Sequence, residues 1–248
     1  MEKGEGILIR QVDFSESSKI VTLFTREYGK ISAIAKGAKR LRGSFEAALD
    51  LLTRCNIVFI RKSSGSLDLL TEAKLIQRFQ VNEKSLERLY SGYYVAELLA
   101  ALTEEYDPHP QLYTEALLAL DRFSSGEPLE SAVLRFELML LQEIGHFPAL
   151  ETCLVCDRPI ETGMSYAFRA AQGGLICLEC LRQEPARSIH SGTIAVMSRF
   201  LSENERDWQE SAITPEQFQE ARSIVNASLA ALMGKRPKML GLLKFDRG

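Results

Sequence analysis

Over the first 80 residues the apolar positions fall in short extended runs. GILIRQV, KIVTLFT and KISAIAK are rich in Ile, Val, Leu and Thr, and polar or glycine-bearing breaks, DFSESS and REYG, separate them. LLTRCNIVFIRK and LDLLTEAKLIQRF follow, joined by the Gly/Ser turn SSGS. Runs of this kind between turn signals predict strands. Five strands with few helical signals predict a small all-β barrel, because closing the sheet removes its exposed edges; the five-stranded form of that solution is the OB-fold. The stretch GSFEAALDLL between the third and fourth strands has room for a helical turn.

From about residue 82 the period changes from two to three and four. In NEKSLERLYSGYYVAELLAALTEEY the positions Leu86, Leu89, Tyr90, Tyr93, Ala96, Leu99 and Leu102 recur at helical spacing and predict an amphipathic helix. PQLYTEALLALDRF predicts a second, bounded by Pro108 and Pro110. PLESAVLRFELMLLQEIG predicts a third, with Pro128 near its start and Gly145 at its end. HSGTIAVMSRFLS reads as a short helix. TPEQFQEARSIVNASLAALMG reads as a longer one, with Thr214 as N-cap, Pro215 at the first position, Gln217 completing a capping box and Gly234 ending it. The expected organisation is multi-domain. An N-terminal all-β OB barrel spans 1–80 and a C-terminal all-α domain spans 81–248, with a metal module inserted at about 149–183.

That module rests on CLVC at 153–156 and CLEC at 177–180. Each Cys-x-x-Cys turn aims two thiolates at one ion, and two such turns complete a tetrahedron. Two pairs separated by 20 residues therefore fit a four-cysteine zinc site. Cys153, Cys156, Cys177 and Cys180 would leave no open coordination position, so one structural Zn2+ is expected rather than a catalytic one. Buried thiols or a redox pair are the other readings of such cysteines. Residues 149–190 hold four arginines and five acids, which is no basic footprint. The segment is expected to be loop-rich, clamped by its metal, with binding of a protein partner as a second possibility. The fifth cysteine, Cys55, lies in a predicted strand and is expected to be a small core residue.

Composition is that of an ordinary globular chain, 46% hydrophobic and 25% charged, with net charge -3. No apolar run approaches the roughly 18–20 residues that cross a bilayer. No membrane association and a cytoplasmic location are expected. The net charge hides an asymmetry: residues 1–80 hold 14 Lys and Arg against 9 Asp and Glu, whereas the rest hold 16 against 24. IAKGAKRLRG at 34–43 carries Lys36, Lys39, Arg40 and Arg42 just after a predicted strand. Glycines at 37 and 43 let this stretch turn and come close to a ligand backbone. Cations on such a loop reach phosphates, and binding of that kind is salt-dependent and blind to sequence. OB barrels hold single strands in a basic groove with aromatic stacking surfaces. The nearby aromatics are Phe14, Phe24, Tyr28, Phe45 and Phe59, and Tyr28, beside the Gly29 turn, is the expected outward-facing one. There is no P-loop ending, His-Glu-x-x-His pair, nucleophile elbow or dinucleotide turn, and His109, His146 and His190 stand apart, so no enzyme is expected.

The whole arrangement resembles the RecO family of bacterial recombination mediators. The resemblance covers nearly the full chain. It is carried by SKIVTLFTREYGKISAIAKGAKR, LYSGYYVAELL, LRFELMLLQEIGHFP and the two cysteine pairs. It implies an N-terminal OB-fold, a helical C-terminal domain and a zinc module; some members have lost the cysteines, and this chain keeps all four. It implies binding of single- and double-stranded DNA, annealing of complementary strands, and work with the partner RecR to load RecA onto strands coated by the single-strand-binding protein SSB. A nucleoid-associated place in the cytoplasm goes with that role. The family's DNA-binding function carries over to Lys30, Lys36, Lys39, Arg40 and Arg42. The resemblance also implies an apolar pocket on the helical domain for the acidic SSB C-terminal tail, with Arg135 as a candidate cation beside it or, alternatively, as a tether to Glu137 or Glu97. An RNA-binding OB protein with a structural zinc is the alternative function.

Overall fold

The computed structural model describes residues 1–40, 45, 48–63, 66–81, 85–181, 187–202, 204, 208–209 and 211–243. Five strands form a closed barrel: β1 Glu2–Asp13, β2 Lys19–Thr25, β3 Gly29–Ala35, β4 Arg54–Ile60 and β5 Asp68–Gln77. Their order around the barrel is β1-β2-β3-β5-β4, with β3 and β5 parallel and every other pair antiparallel. Strand β3 shows how alternation sets the inside. Ile31, Ala33 and Ala35 are fully buried while Lys30, Ser32 and Ile34 between them are not. Leu8, Val21, Leu23, Cys55, Ile57, Phe59 and Leu70 complete the interior, joined by Phe45, Ala48 and Leu49 from the β3–β4 connection. There the Ala48 N–H bonds to the Phe45 carbonyl at 3.2 Å, closing a turn.

Helices follow: α1 Leu86–Leu102, α2 Pro110–Ser125, α3 Leu129–Glu143, α4 Ser191–Phe200 and α5 Pro215–Met233. The expected cap of α5 is in place. Thr214 Oγ1 accepts from the Gln217 N–H at 3.2 Å, the Gln217 side chain accepts from the Thr214 N–H at 3.0 Å, and Gly234 ends the helix with φ +66°. The expected stripe on α1 needs correction. Leu86 is 57% exposed, whereas Ser91, Gly92, Tyr94, Val95 and Leu98 are buried together with Ala96 and Leu99. A helix covered on more than one side has no single apolar stripe. Gly92 lets the barrel side come close, since a Cβ there would meet Leu52 and Phe79. A 3-10 turn at Met239–Leu242 packs on the same helix.

The segment expected to be loop-rich contains a four-stranded sheet. Strands β6 Ala149–Cys153, β7 Ser165–Arg169, β8 Gly174–Cys177 and β9 Ser188–His190 are ordered β6-β8-β7-β9. The chain divides into two compact units. The first takes in 1–132 and, from far along the chain, 238–243; the second takes in 133–237. Among the described residues no helix is long and apolar enough to cross a membrane.

Candidate metal centre and nucleic-acid interface

The metal centre is built by strand pairing. β6 and β8 run parallel, and each ends on a cysteine, Cys153 and Cys177. Two parallel strands that end side by side place the two Cys-x-x-Cys turns side by side. The first turn is closed by the Asp157 N–H on the Cys153 carbonyl at 2.9 Å, with Asp157 at φ +57°. The second is closed by the Cys180 and Leu181 N–H groups on the Cys177 carbonyl, both at 3.1 Å. All four sulfurs lie within 4.8 Å of one another, and the Cys156 and Cys177 sulfurs are 3.9 Å apart. A tetrahedron with metal–sulfur bonds of about 2.3 Å has sulfur–sulfur edges of about 3.8 Å, so the geometry fits one four-thiolate ion.

The neighbouring thiols are pushed in opposite directions. Burial pushes the Cys153 thiol up, but backbone N–H groups of Cys177, Val155 and Cys156 outweigh it and hold the thiol down at about 6. Cys180 is pushed up, first by its hydrogen bond with Cys177. Without a cation, neighbouring thiols at this spacing cannot all ionise; a bound dication removes the conflict. Cys55 lies apart in the barrel, fully buried, with its thiol pushed up to about 12 by burial. It is the inert core residue expected from its strand position.

The basic loop leaves the barrel after β3. Lys36, Lys39 and Arg40 are exposed on a turn closed by the Arg40 N–H on the Gly37 carbonyl at 3.0 Å, with Gly37 at φ +77°. Lys39 ties this turn to the β1–β2 hairpin tip. Its ammonium lies 3.0 Å from Asp13 and donates to the Ser15 carbonyl at 2.9 Å, and its backbone N–H bonds to the Ser17 carbonyl at 3.2 Å. Arg42 lies outside the described residues.

Lys30 does not join this group. Its ammonium turns under the end of α1 and donates to the carbonyls of Ala100, at 2.8 Å, and Thr103. Burial lowers its pKa, with Glu104 and Glu105 opposing. Lys30 therefore meets the negative end of a helix. Tyr28 is also engaged: its ring packs edge-on against Phe59 at 5.3 Å and its hydroxyl donates to Glu2 at 3.1 Å. Around Gly29 the chain between α1 and α2 closes in. The backbone at Glu105 lies parallel to Lys30 in a single strand-like pairing, the Tyr106 N–H bonds to the Lys30 carbonyl at 3.0 Å, and a Cβ on Gly29 would overlap the Asp107 carbonyl. That end of β2 and β3 is covered, and the end at Asp13, Lys19 and Ala35 carries the basic loop.

Arg135 lies inside the second unit rather than at its surface. It is 3% exposed, and its guanidinium donates to the carbonyls of Phe200 and, at 3.0 Å, Ser202. Glu137 and Glu97 each have a partner far along the chain. Glu137 pairs with Arg222, and Glu97 accepts from the Lys238 and Met239 N–H groups, both at 2.8 Å. A buried guanidinium that donates to these carbonyls ties α3 to the end of α4.

Fold and site together define a class: an OB barrel followed in the chain by a helical unit with a four-cysteine metal knuckle. Comparison with known proteins narrows the class. Residues 1–79 match the family described as "Recombination protein O N terminal", and residues 83–240 match "Recombination protein O C terminal". A protein of Rhodopirellula baltica named "DNA repair protein RecO" is 37% identical, over 94% of this chain and 95% of its own. Another of that name, from Anaeromyxobacter sp. (strain K), is 31% identical over 93% of this chain and 91% of its own. A third, from Syntrophus aciditrophicus, is 28% identical over 97% and 94%. The chain belongs to the RecO family.

Proposed function

We propose that the chain is a DNA-repair recombination mediator that works without covalent chemistry. Its barrel holds single- and double-stranded DNA through Lys36, Lys39, Arg40 and Arg42 and anneals complementary strands by screening their repulsion. With RecR it helps load RecA onto SSB-coated strands, and one Zn2+ on Cys153, Cys156, Cys177 and Cys180 fixes the shape of the second unit. Family membership supports the repair role. The observation that carries the DNA contact is the Lys36–Arg40 turn, stapled to the β1–β2 tip. Cations on a fixed turn can meet phosphates without first being ordered.

The test is a salt titration of single-strand binding. Lys39 is left intact, because reversing it would break the staple to Asp13. A folded Lys36→Glu/Arg40→Glu/Arg42→Glu variant is expected to bind more weakly. Its slope of log affinity against log salt is expected to flatten by about 0.7 for each phosphate that is no longer neutralised. Unchanged affinity and slope would place the phosphate-binding cations elsewhere. Equal affinity for matched RNA, with no annealing, would favour an RNA-binding role instead.

A further inference from the structure

Among the described residues only one aromatic side chain stands mainly in solvent. Phe14 is 59% exposed, at the tip of the β1–β2 hairpin. Every other described Phe, Tyr or Trp is buried or half-buried. Val12, on the same tip, is 46% exposed. A single exposed apolar side chain is ordinary on a protein surface. Its setting here is not.

The tip is held in shape from both sides. The Phe14 and Ser15 N–H groups bond to the Ser18 carbonyl at 3.1 and 3.3 Å, and Ser15 Oγ accepts from the Ser18 N–H at 3.1 Å. Lys39 adds its ion pair to Asp13 and its bonds to Ser15 and Ser17 from outside the hairpin. Asp13 pairs across the sheet with Lys19, and Lys19 with Ala35. Phe14 and Lys36 are the next residues beyond this row on their own strands. The tip that bears Phe14 is therefore bonded, through Lys39, to the turn that carries Lys36, Lys39 and Arg40. Asp13 is matched by Lys39, which leaves Glu16 as the remaining acid of the tip.

From this geometry we propose that Phe14 is a base-stacking platform that takes an unpaired base while the neighbouring cations hold its phosphates. The inference rests on the DNA-binding role proposed above and adds discrimination between strand types. A ring accepts any base, because every base has a π-face. In a duplex the same faces are already stacked on their neighbours, so Phe14 adds affinity for single strands only.

The test uses the full chain, a labelled oligo-dT and a duplex of equal length. Phe14→Ala is expected to weaken single-strand binding by about 5- to 150-fold, the range that removing one stacked base produces. Duplex affinity and the salt slope of single-strand binding stay the same, because every phosphate keeps its cation. Phe14→Tyr keeps the ring and is expected to keep single-strand affinity, whereas Phe14→Leu keeps the apolar bulk and loses it. Unchanged single-strand affinity in Phe14→Ala, or equal losses on both strand types, would overturn the stacking role and leave the basic-turn reading standing. Failure of the wild type to bind either strand would overturn that reading itself and the stacking role with it.

Discussion

Glu137 and Arg222 form an ion pair closed off from solvent, with exposures of 0% and 4%. Removing one partner strands the other charge. Glu137→Gln is expected to cost about 3–5 kcal/mol in urea unfolding, and a Glu137→Leu/Arg222→Met double variant is expected to recover much of the loss. Glu5 makes a second, half-buried network. Burial pushes its carboxyl up, but hydrogen bonds from Arg54, at 2.8 Å, and Tyr113, at 2.9 Å, outweigh it and hold the pKa below the usual carboxylate range. The unfolded chain therefore takes up this proton first as pH falls. The stability Glu5 contributes is present above the ordinary glutamate pKa of about 4.3 and is lost as pH drops through the lower folded value. Thermal melts between about pH 5 and 3 are expected to fall less steeply in Glu5→Gln than in the wild type. At this scale the sequence showed which residues carry charge but not which are spent. Lys30 and Arg135 look like any surface cations in the chain. Their fate is set by the carbonyls of Ala100, Thr103, Phe200 and Ser202, which only the folded chain brings to them. Phe14 could be named as one of several aromatics, and only the burial of the others singles it out.

Elements were legible where their signals are local. The five barrel strands carry alternating runs between turn residues, and α5 carries its own start and stop in Thr214, Gln217 and Gly234. The sheet β6–β9 was not legible. Its strands are three to five residues long, and β6 pairs in parallel with a strand some twenty residues away, a pairing no short-range pattern announces. The cysteines nonetheless marked a group able to hold a metal ion, because ligand spacing survives any ignorance of the strands that present it. Metal removal tests the link between the two. In the loaded protein the knuckle thiols are coordinated and Cys55 is sealed in the barrel. A thiol reagent is therefore expected to find none in the native protein, four after a chelator is added, and a fifth only after denaturant. The chelated protein is expected to lose the β6–β8 pairing while the barrel keeps its affinity for DNA. Joint loss of both would show that the barrel depends on the metal.

For the whole molecule, the division into units differs from the division of the family matches, which meet between residues 79 and 83. The first compact unit continues through α1 and α2 to residue 132 and takes in 238–243 as well. Leu240 and Leu243 are 0% and 1% exposed, and the Glu97 carboxylate holds the backbone at 238 and 239. Leu240→Ala is expected to destabilise this unit by about 2–5 kcal/mol, read as faster protease cleavage within 1–132. This discontinuity matters while the chain is being made. A ribosome delivers the barrel and its first helices early, but at 5–20 residues per second the stretch from 133 to 243 takes roughly 5–20 s more. For that interval the side of α1 that Leu240 and Leu243 will cover is bare, so the unit expected to hold DNA is among the first parts of the chain to be made and among the last to be sealed.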